Sequence, residues 1–270
     1  MISINLTVHN KGFLIERVLE SIKKFTYSDY EIIIVIDGCI DDSENIVTKF
    51  FEENKDIKHK IIKAPNVFET KANNIAADNS IGEYIIIIQD DMIINEYNWD
   101  VRILKPFKFG DIFAVTARTA HNWEINKNSK HIKEKFERDD CWSDVINHTD
   151  HANLENLGRD TFGIRSCVNR GPLAIKKDIF DLMGGFDESF CPQDSDDHDF
   201  CYRTHKKTKM FCGCYPIDYI SNEEWGGTRD ENGTKKWMFK ANQKNSKLLL
   251  ERHKDLMINT DKIIENRKLV

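Results

Sequence analysis

The sequence predicts an α/β fold in which a mainly parallel central sheet is flanked by helices. Three observations carry that prediction. Ile32–Ile36, following Glu31, and Tyr84–Ile88 are unbroken apolar runs of the kind found in strands buried on both faces. Segments of helical spacing separate the runs, which implies right-handed crossovers between parallel strands. Polar, acid-rich stretches follow directly on the strands, where ligands bind in such sheets.

Taken in order, Ile2–Val8 is a short first strand. Leu14, Val18, Ile22 and Phe25 then recur at near-helical spacing. After the Glu31–Ile36 strand, Ile46, Val47, Phe50 and Phe51 mark a second helix, with Asp41, Asp42 or Ser43 available to cap it. Lys60–Lys63 is a third strand, Lys71–Asn79 a third helix, and Tyr84–Ile88 a fourth strand. From Ala120 to Arg165 the chain is polar and weakly periodic, as expected of excursions over an acceptor side. Ser166–Ile175 can return to the sheet, Asp196–His205 has a helical composition, and the stretch from Lys235 onward reads as a helix.

A chain of 270 residues can form one α/β core, and neither repeat nor linker divides it. The expectation is a single domain over 1–270, with a nucleotide-binding half to about 118, an acceptor and catalytic half over about 119–234, and a helical tail over about 235–270. A net charge of -6 argues against nucleic acid as a partner. No apolar run approaches the roughly 18 residues that span a bilayer. Met1–Val8 reads as a strand rather than a leader, so a cytoplasmic location is expected. The 7 cysteines include no Cys-x-x-Cys pair, and Cys212-Gly213-Cys214 lacks matching partners for zinc, so free, mostly buried thiols are expected.

Three acidic clusters carry the chemistry. Asp90-Asp91 follows four isoleucines. Adjacent carboxylates at the end of a buried strand repel unless a cation or hydrogen-bond donors compensate. Mn²⁺ or Mg²⁺, hard cations that prefer oxygen, would do so and would bridge a diphosphate; a turn or helix cap is the structural alternative. Asp37-Gly38-Cys39-Ile40-Asp41-Asp42 offers Asp37 to a base or ribose, with Asp41 or Asp42 as a cap. In Asp194-Ser195-Asp196-Asp197-His198-Asp199 the acids gain from a helix N-terminus. Asp199 and Arg203 stand at i,i+4, the spacing of a surface ion pair. A remaining carboxylate can take the proton of an attacking hydroxyl.

In this order the clusters resemble the family 2 glycosyltransferases. The likeness runs through Leu6–Asn10, Val35–Gly38, Ile88–Asp91, Asn169–Leu173, Gly184–Glu188 and Asp196–Asp199, nearly the first 230 residues. It implies a GT-A fold, a nucleotide-sugar donor with UDP favoured, and inversion by direct displacement onto a hydroxyl of a glycan, lipid-linked or glycoconjugate acceptor. On that pattern Asp91 ligates the metal and Asp90 contacts ribose or metal. Thr7, His9, Asn10 and Asp37 line the nucleoside pocket, and Lys71 approaches phosphate. Asp197 is the base, with Asp196 standing where the family usually has Glu. Arg170 is placed on the acceptor and sugar side, where Trp225 can stack on a sugar face. The metal-binding His that many relatives carry is missing from Ser221–Arg229, leaving Glu224, Asn222 or water to complete the shell.

Two other readings stand beside this one. A sugar nucleotidyltransferase usually needs a Gly-rich basic loop after the first strand, and His9-Asn10-Lys11-Gly12-Phe13 is not one. A silent carbohydrate-binding domain would not need the acids. From Lys235 to Lys268 there are ten basic and four acidic residues, a net of six positive charges. The plain reading is a solvated helix covering the core; the sharper one is peripheral contact with anionic lipid.

Overall fold

A computed structural model describes residues 1–125, 141–147, 157–226, 236–258 and 262–269. Strands β1 (Ile2–Val8), β2 (Tyr30–Asp37), β3 (Lys58–Ala64) and β4 (Tyr84–Gln89) alternate with helices α1 (Ile15–Phe25), α2 (Ser43–Glu53) and α3 (Phe68–Asp78). They pair in parallel in the order β4-β1-β2-β3. The isoleucine runs are buried on both faces. Ile32, Ile34 and Ile36 pack with Leu19, Ile22, Val47 and Phe50 of the first two helices, whereas Ile33 and Val35 meet Ala72 and Ala76 of α3. Each such side chain contributes about 1.5–3 kcal/mol on burial. Two polar exceptions find partners in place: the Ser3 hydroxyl donates to Glu31, and Asn5 Oδ1 accepts from Ser80 at 2.8 Å.

The second half departs from the parallel pattern. The full sheet has nine strands in the order β14-β9-β12-β6-β11-β4-β1-β2-β3. Here β6 is Ile112–Thr116, β9 Thr161–Arg165, β11 Leu173–Lys176, β12 Phe211–Cys214 and β14 Glu265–Lys268. Strand β11 runs antiparallel between β4 and β6, so the sheet is mixed: beside the N-terminal parallel block, β6 and β12 form a further parallel pair. A smaller sheet joins β7 (Thr119–Trp123) to β8 (Trp142–Asn147) and β10 (Cys167–Val168). The polar region from Ala120 to Arg165 thus contributes strands in its described parts. It gave no strand signal because several of its polar side chains go inward: His121, Asn122 and Arg165 are all buried. Of Ser166–Ile175, only the end from Leu173 enters the large sheet.

The helix Asp196–Thr208 forms as its composition suggests, and Lys236–Met257 is helical with a break at His253. Strand β14 pairs with β9 and was not expected from so charged a segment. Arg267 holds it there through two bonds to Asp111, at 2.6 and 2.9 Å. Asp42 is the N-cap residue of α2 but makes no side-chain capping bond. Asp41 instead accepts from the Gly12 and Ser43 backbone at 2.7 and 3.1 Å, tying the loop after β1 to the helix start. Among the described residues no helix is long and apolar enough to cross a membrane.

Candidate active site

Register places the ends of β1, β2 and β4 side by side, with Thr7 opposite both Val35 and Gln89. The residues beyond those ends are locked together. The His9 backbone N–H donates to Asp90 Oδ2 at 2.9 Å, and its ring Nδ1 lies 2.6 Å from the Asp37 carbonyl oxygen. Asn10 accepts from the Ile40 N–H at 2.8 Å. The Asp37 carboxylate is fully buried and accepts from Val67 and Phe68 N–H at 2.6 and 2.9 Å, so it fixes the start of α3. Gly38 makes that approach possible: at φ +62 it passes Asn66 so closely that a Cβ would lie 2.6 Å from the Asn66 Cβ.

A cleft opens over this edge, lined by Thr7, His9, Lys11, Glu69, Asp90 and Asp91 among others. Burial pushes the Asp90 carboxyl up to about 7, with Lys11 pulling it down and Asp91 adding to the rise. Burial likewise raises Asp91, against the pull of Lys11 and Arg118. One Asp91 oxygen, Oδ1, is buried without a hydrogen-bond partner among the described residues. Lys11 is 2% exposed; its ammonium lies 3.7 Å from Asp90 Oδ1 and donates to the Trp225 carbonyl oxygen. Sequence reasoning passed over Lys11. Its only signal was a position three residues beyond a strand end, and nothing in a single lysine announces burial.

The late acidic cluster reaches the cleft through Arg170. That guanidinium is bidentate to Asp196 at 2.5 and 2.8 Å, and its Nε lies 3.3 Å from Glu69. Glu69 accepts from Gln89 at 3.0 Å, and Gln89 from Arg118 at 3.0 Å. Asp196 therefore has both oxygens committed. Asp197 accepts from backbone N–H groups, of Arg170 at 3.1 Å and of His198 at 2.9 Å. Asp199 is no surface acid. It has no exposure and meets Arg203 at 2.6 Å, His253 at 2.9 Å and Arg252 at 3.4 Å.

The remaining candidates are dispersed. Lys71 pairs with Glu188 at 3.6 Å. A two-stranded sheet of β5 (Met92–Ile94) and β13 (Tyr219–Ser221) brings the following turn, Glu223–Trp225, toward the cleft. Trp225 is half-buried, with the Arg17 guanidinium 5.4 Å from its ring, and Gly226 lines the cleft. Glu224 is exposed and is not gathered with Asp90 and Asp91: among the described residues no three His, Cys, Asp or Glu side chains converge on a metal-sized site. Gly227, Thr228 and Arg229 lie outside the described residues.

The model of the family described as Glycosyl transferase family 2 matches residues 3–171. Glycosyltransferase GlyG of Streptococcus pneumoniae is 32% identical over 98 residues, 36% of this chain and 32% of that protein. An uncharacterized glycosyltransferase of Nostoc is 29% identical over 114 residues, 42% of this chain and 35% of that one. The matched part thus spans about a third of these relatives' lengths. Among solved structures, Staphylococcus aureus TarS 1-349 in complex with UDP-GlcNAc aligns with a TM-score of 0.60 at 11% identity, covering 96% of this chain and 68% of that one. The mannosyltransferase PcManGT of Pyrobaculum calidifontis, in complex with GDP-Man and Mn2+, aligns at 0.58 and 16%, covering 80% and 55%. The likeness shows the GT-A fold that the sequence resemblance implied.

Proposed function

Because the chain belongs to glycosyl transferase family 2, we propose that it moves a sugar from a nucleotide diphosphate carrier, UDP favoured, onto a hydroxyl of a glycan, lipid-linked or glycoconjugate acceptor, inverting the anomeric carbon. The observation that carries this reading is the Asp90-Asp91 pair in the cleft, with an Asp91 oxygen buried and unpartnered among the described residues and a buried lysine beside Asp90. Such oxygens fit a hard divalent cation, and Asp91 with Asp90 would hold Mn²⁺ or Mg²⁺. The ion would neutralise charge on the departing diphosphate.

The other roles belong to the chain's own side chains. Lys11 presents a second positive charge at the same edge of the cleft. Thr7 and His9 line the nucleoside side, while Asn10 and Asp37 hold the two loops that shape it. Asp197 takes the acceptor's proton, because its partners are neutral backbone donors whereas both Asp196 oxygens are bound to Arg170. Arg170 orients Asp196 and Glu69, and Trp225 borders the sugar side. A cytoplasmic location agrees with this chemistry.

The test is transfer from a panel of nucleotide-sugars, followed as nucleoside diphosphate release with Mn²⁺ and after chelation. Asp91→Asn is expected to abolish turnover with the fold intact, and Asp90→Asn mainly to weaken donor binding. Full turnover by Asp91→Asn in chelator-treated buffer would remove the metal role from this pair. Pyrophosphate in place of diphosphate would point to nucleotidyl transfer.

A further inference from the structure

The cleft has an aromatic wall contributed by the last long helix of the chain. Trp237 and Met238, in the first turn of the helix Lys236–Met257, line it together with Glu69, Gln89 and Gln193. Trp225 is not among the described residues that do so, and its ring lies against the Arg17 guanidinium at 5.4 Å. Trp237 is half-buried. Its indole Nε1 is buried and has no hydrogen-bond partner among the described residues. The surface that Trp237 offers the cleft is therefore carbon.

The indole is held from two directions. The Phe68 ring meets it edge-on, with centroids 5.6 Å apart and planes at 65°. Phe68 is itself fixed, because its N–H donates to the buried Asp37 carboxylate at 2.9 Å. Further along the helix, Asn245 has no exposure and donates to the Phe190 and Gln193 carbonyl oxygens at 2.5 and 2.7 Å. That contact ties the helix carrying Trp237 to the loop carrying Gln193. A ring fixed in this way loses little freedom when a ligand covers it.

We propose that Trp237 is the platform for the pyranose ring of the donor sugar, taking its C–H face while Glu69, Gln89 and Gln193 serve its hydroxyls. The proposal rests on the reading of the cleft as a nucleotide-sugar site, and names the residue that recognises the sugar. A pyranose carries C–H groups on its face and hydroxyls around its edge, so it calls for an aromatic surface with a few polar groups beside it. This part of the cleft has that composition. Its placement favours the sugar over the nucleobase. Thr7 and His9 line the nucleoside end. Gln193 stands three positions before Asp196, and Glu69 is joined to Asp196 through Arg170, at 3.3 and 2.8 Å. Trp237 thus shares its wall with the residues nearest the acids of the transfer step.

The test is calorimetric titration of the parent, Trp237→Ala and Trp237→Phe in Mn²⁺ buffer. The ligands are UDP and GDP, then UDP-glucose, UDP-GlcNAc and GDP-mannose. For the sugar conjugate that the parent binds best, Trp237→Ala should raise Kd roughly three- to tenfold, the worth of one aromatic contact. The Kd of the matching nucleoside diphosphate should not change. Trp237→Phe keeps a ring and should stay near the parent. Equal weakening of the diphosphate and its sugar conjugate would assign Trp237 to the nucleoside and overturn the proposal, as would an unchanged Kd for both. A parent that binds none of the five ligands would overturn the donor reading itself, and the proposal with it. Should Trp237→Ala fail to fold, ¹⁹F NMR of parent protein labelled with fluorotryptophan decides, the Trp237 signal being the one absent from Trp237→Phe. A larger shift with the sugar conjugate than with the diphosphate supports the platform, and equal shifts refute it.

Discussion

Asp199 and Lys11 are the two buried charges on which the site's surroundings depend most. Burial pushes the Asp199 carboxyl up, but hydrogen bonding from His253 and the attraction of Arg203 bring it below its ordinary range. Removing one partner of such a cluster leaves the others uncompensated, at a cost of about 3–5 kcal/mol. Asp199→Asn is therefore expected to lower unfolding free energy in urea by that amount, far more than Asp197→Asn does. A change under 1 kcal/mol would mean that the cluster is already solvated. Lys11 is a functional counterpart. Lys11→Met removes a charged donor of about 1.5–3 kcal/mol, so the KM for nucleotide-sugar should rise roughly ten- to a hundredfold. If only thermal stability falls, Lys11 is a structural tie to Trp225 and nothing more.

Among the elements, β12 shows how a strand can be specified by what it lacks. Cys212 and Cys214 point into the second core, both as free thiols, while Gly213 lies between them. The alternation of a strand explains the Cys-Gly-Cys pattern without zinc. A Cβ on Gly213 would lie 2.3 Å from the Gly163 carbonyl oxygen and 2.7 Å from the Phe162 ring. Backbone, rather than a flexible side-chain tip, would have to yield. Gly213→Ala should cost about 1–3 kcal/mol, the usual penalty of overpacking, with activity per folded molecule kept. Equal denaturation midpoints for variant and parent would show that β9 and β12 separate more easily than their pairing suggests.

At the scale of the molecule, the C-terminal helix is fastened by charge. Arg252 meets Asp187 at 2.7 Å and Asp199 at 3.4 Å, and Lys244 donates to the Ser189 and Cys191 carbonyl oxygens. Burial alone would raise the Asp187 carboxyl, but bonds from Ser189 and Arg252 bring it down to about 2. A carboxyl depressed in the folded state stabilises it above the unfolded value, here 3.8, and ceases to do so as pH falls through the folded one. Docking of this helix should thus be constant above about pH 5 and weaken between about 4 and 2, with Asp199 acting in the same direction. Hydrogen exchange of residues 236–257 against pH would reveal it; exchange that is flat down to pH 2 would not be compatible. The same pairings bear on lipid contact. Lys247, Arg252, Lys262 and Arg267 are matched by Glu251, Asp187, Glu124 and Asp111. Equal sedimentation with neutral and anionic vesicles at physiological salt is expected. A preference for anionic vesicles would support the membrane reading.

What the sequence determined by itself was local and periodic. The isoleucine runs, the helical spacing between them and the acids after each strand were enough for the α/β class, the first four strands and the Asp90-Asp91 edge. Burial on both faces writes itself into consecutive residues, and strand ends are marked by the turn to polarity. The tertiary structure decided whatever depends on partners far apart in the chain. Lys11 is a buried counter-charge because Trp225 and Asp90 meet it. Asp196 is bound because Arg170 arrives from 26 positions away, and the same approach leaves Asp197 with backbone donors. Strand β14 exists because Asp111 receives Arg267 across 156 positions. A charge's role follows from which opposite charge it is buried with, and that pairing is a property of the fold, since nothing in the local sequence encodes it.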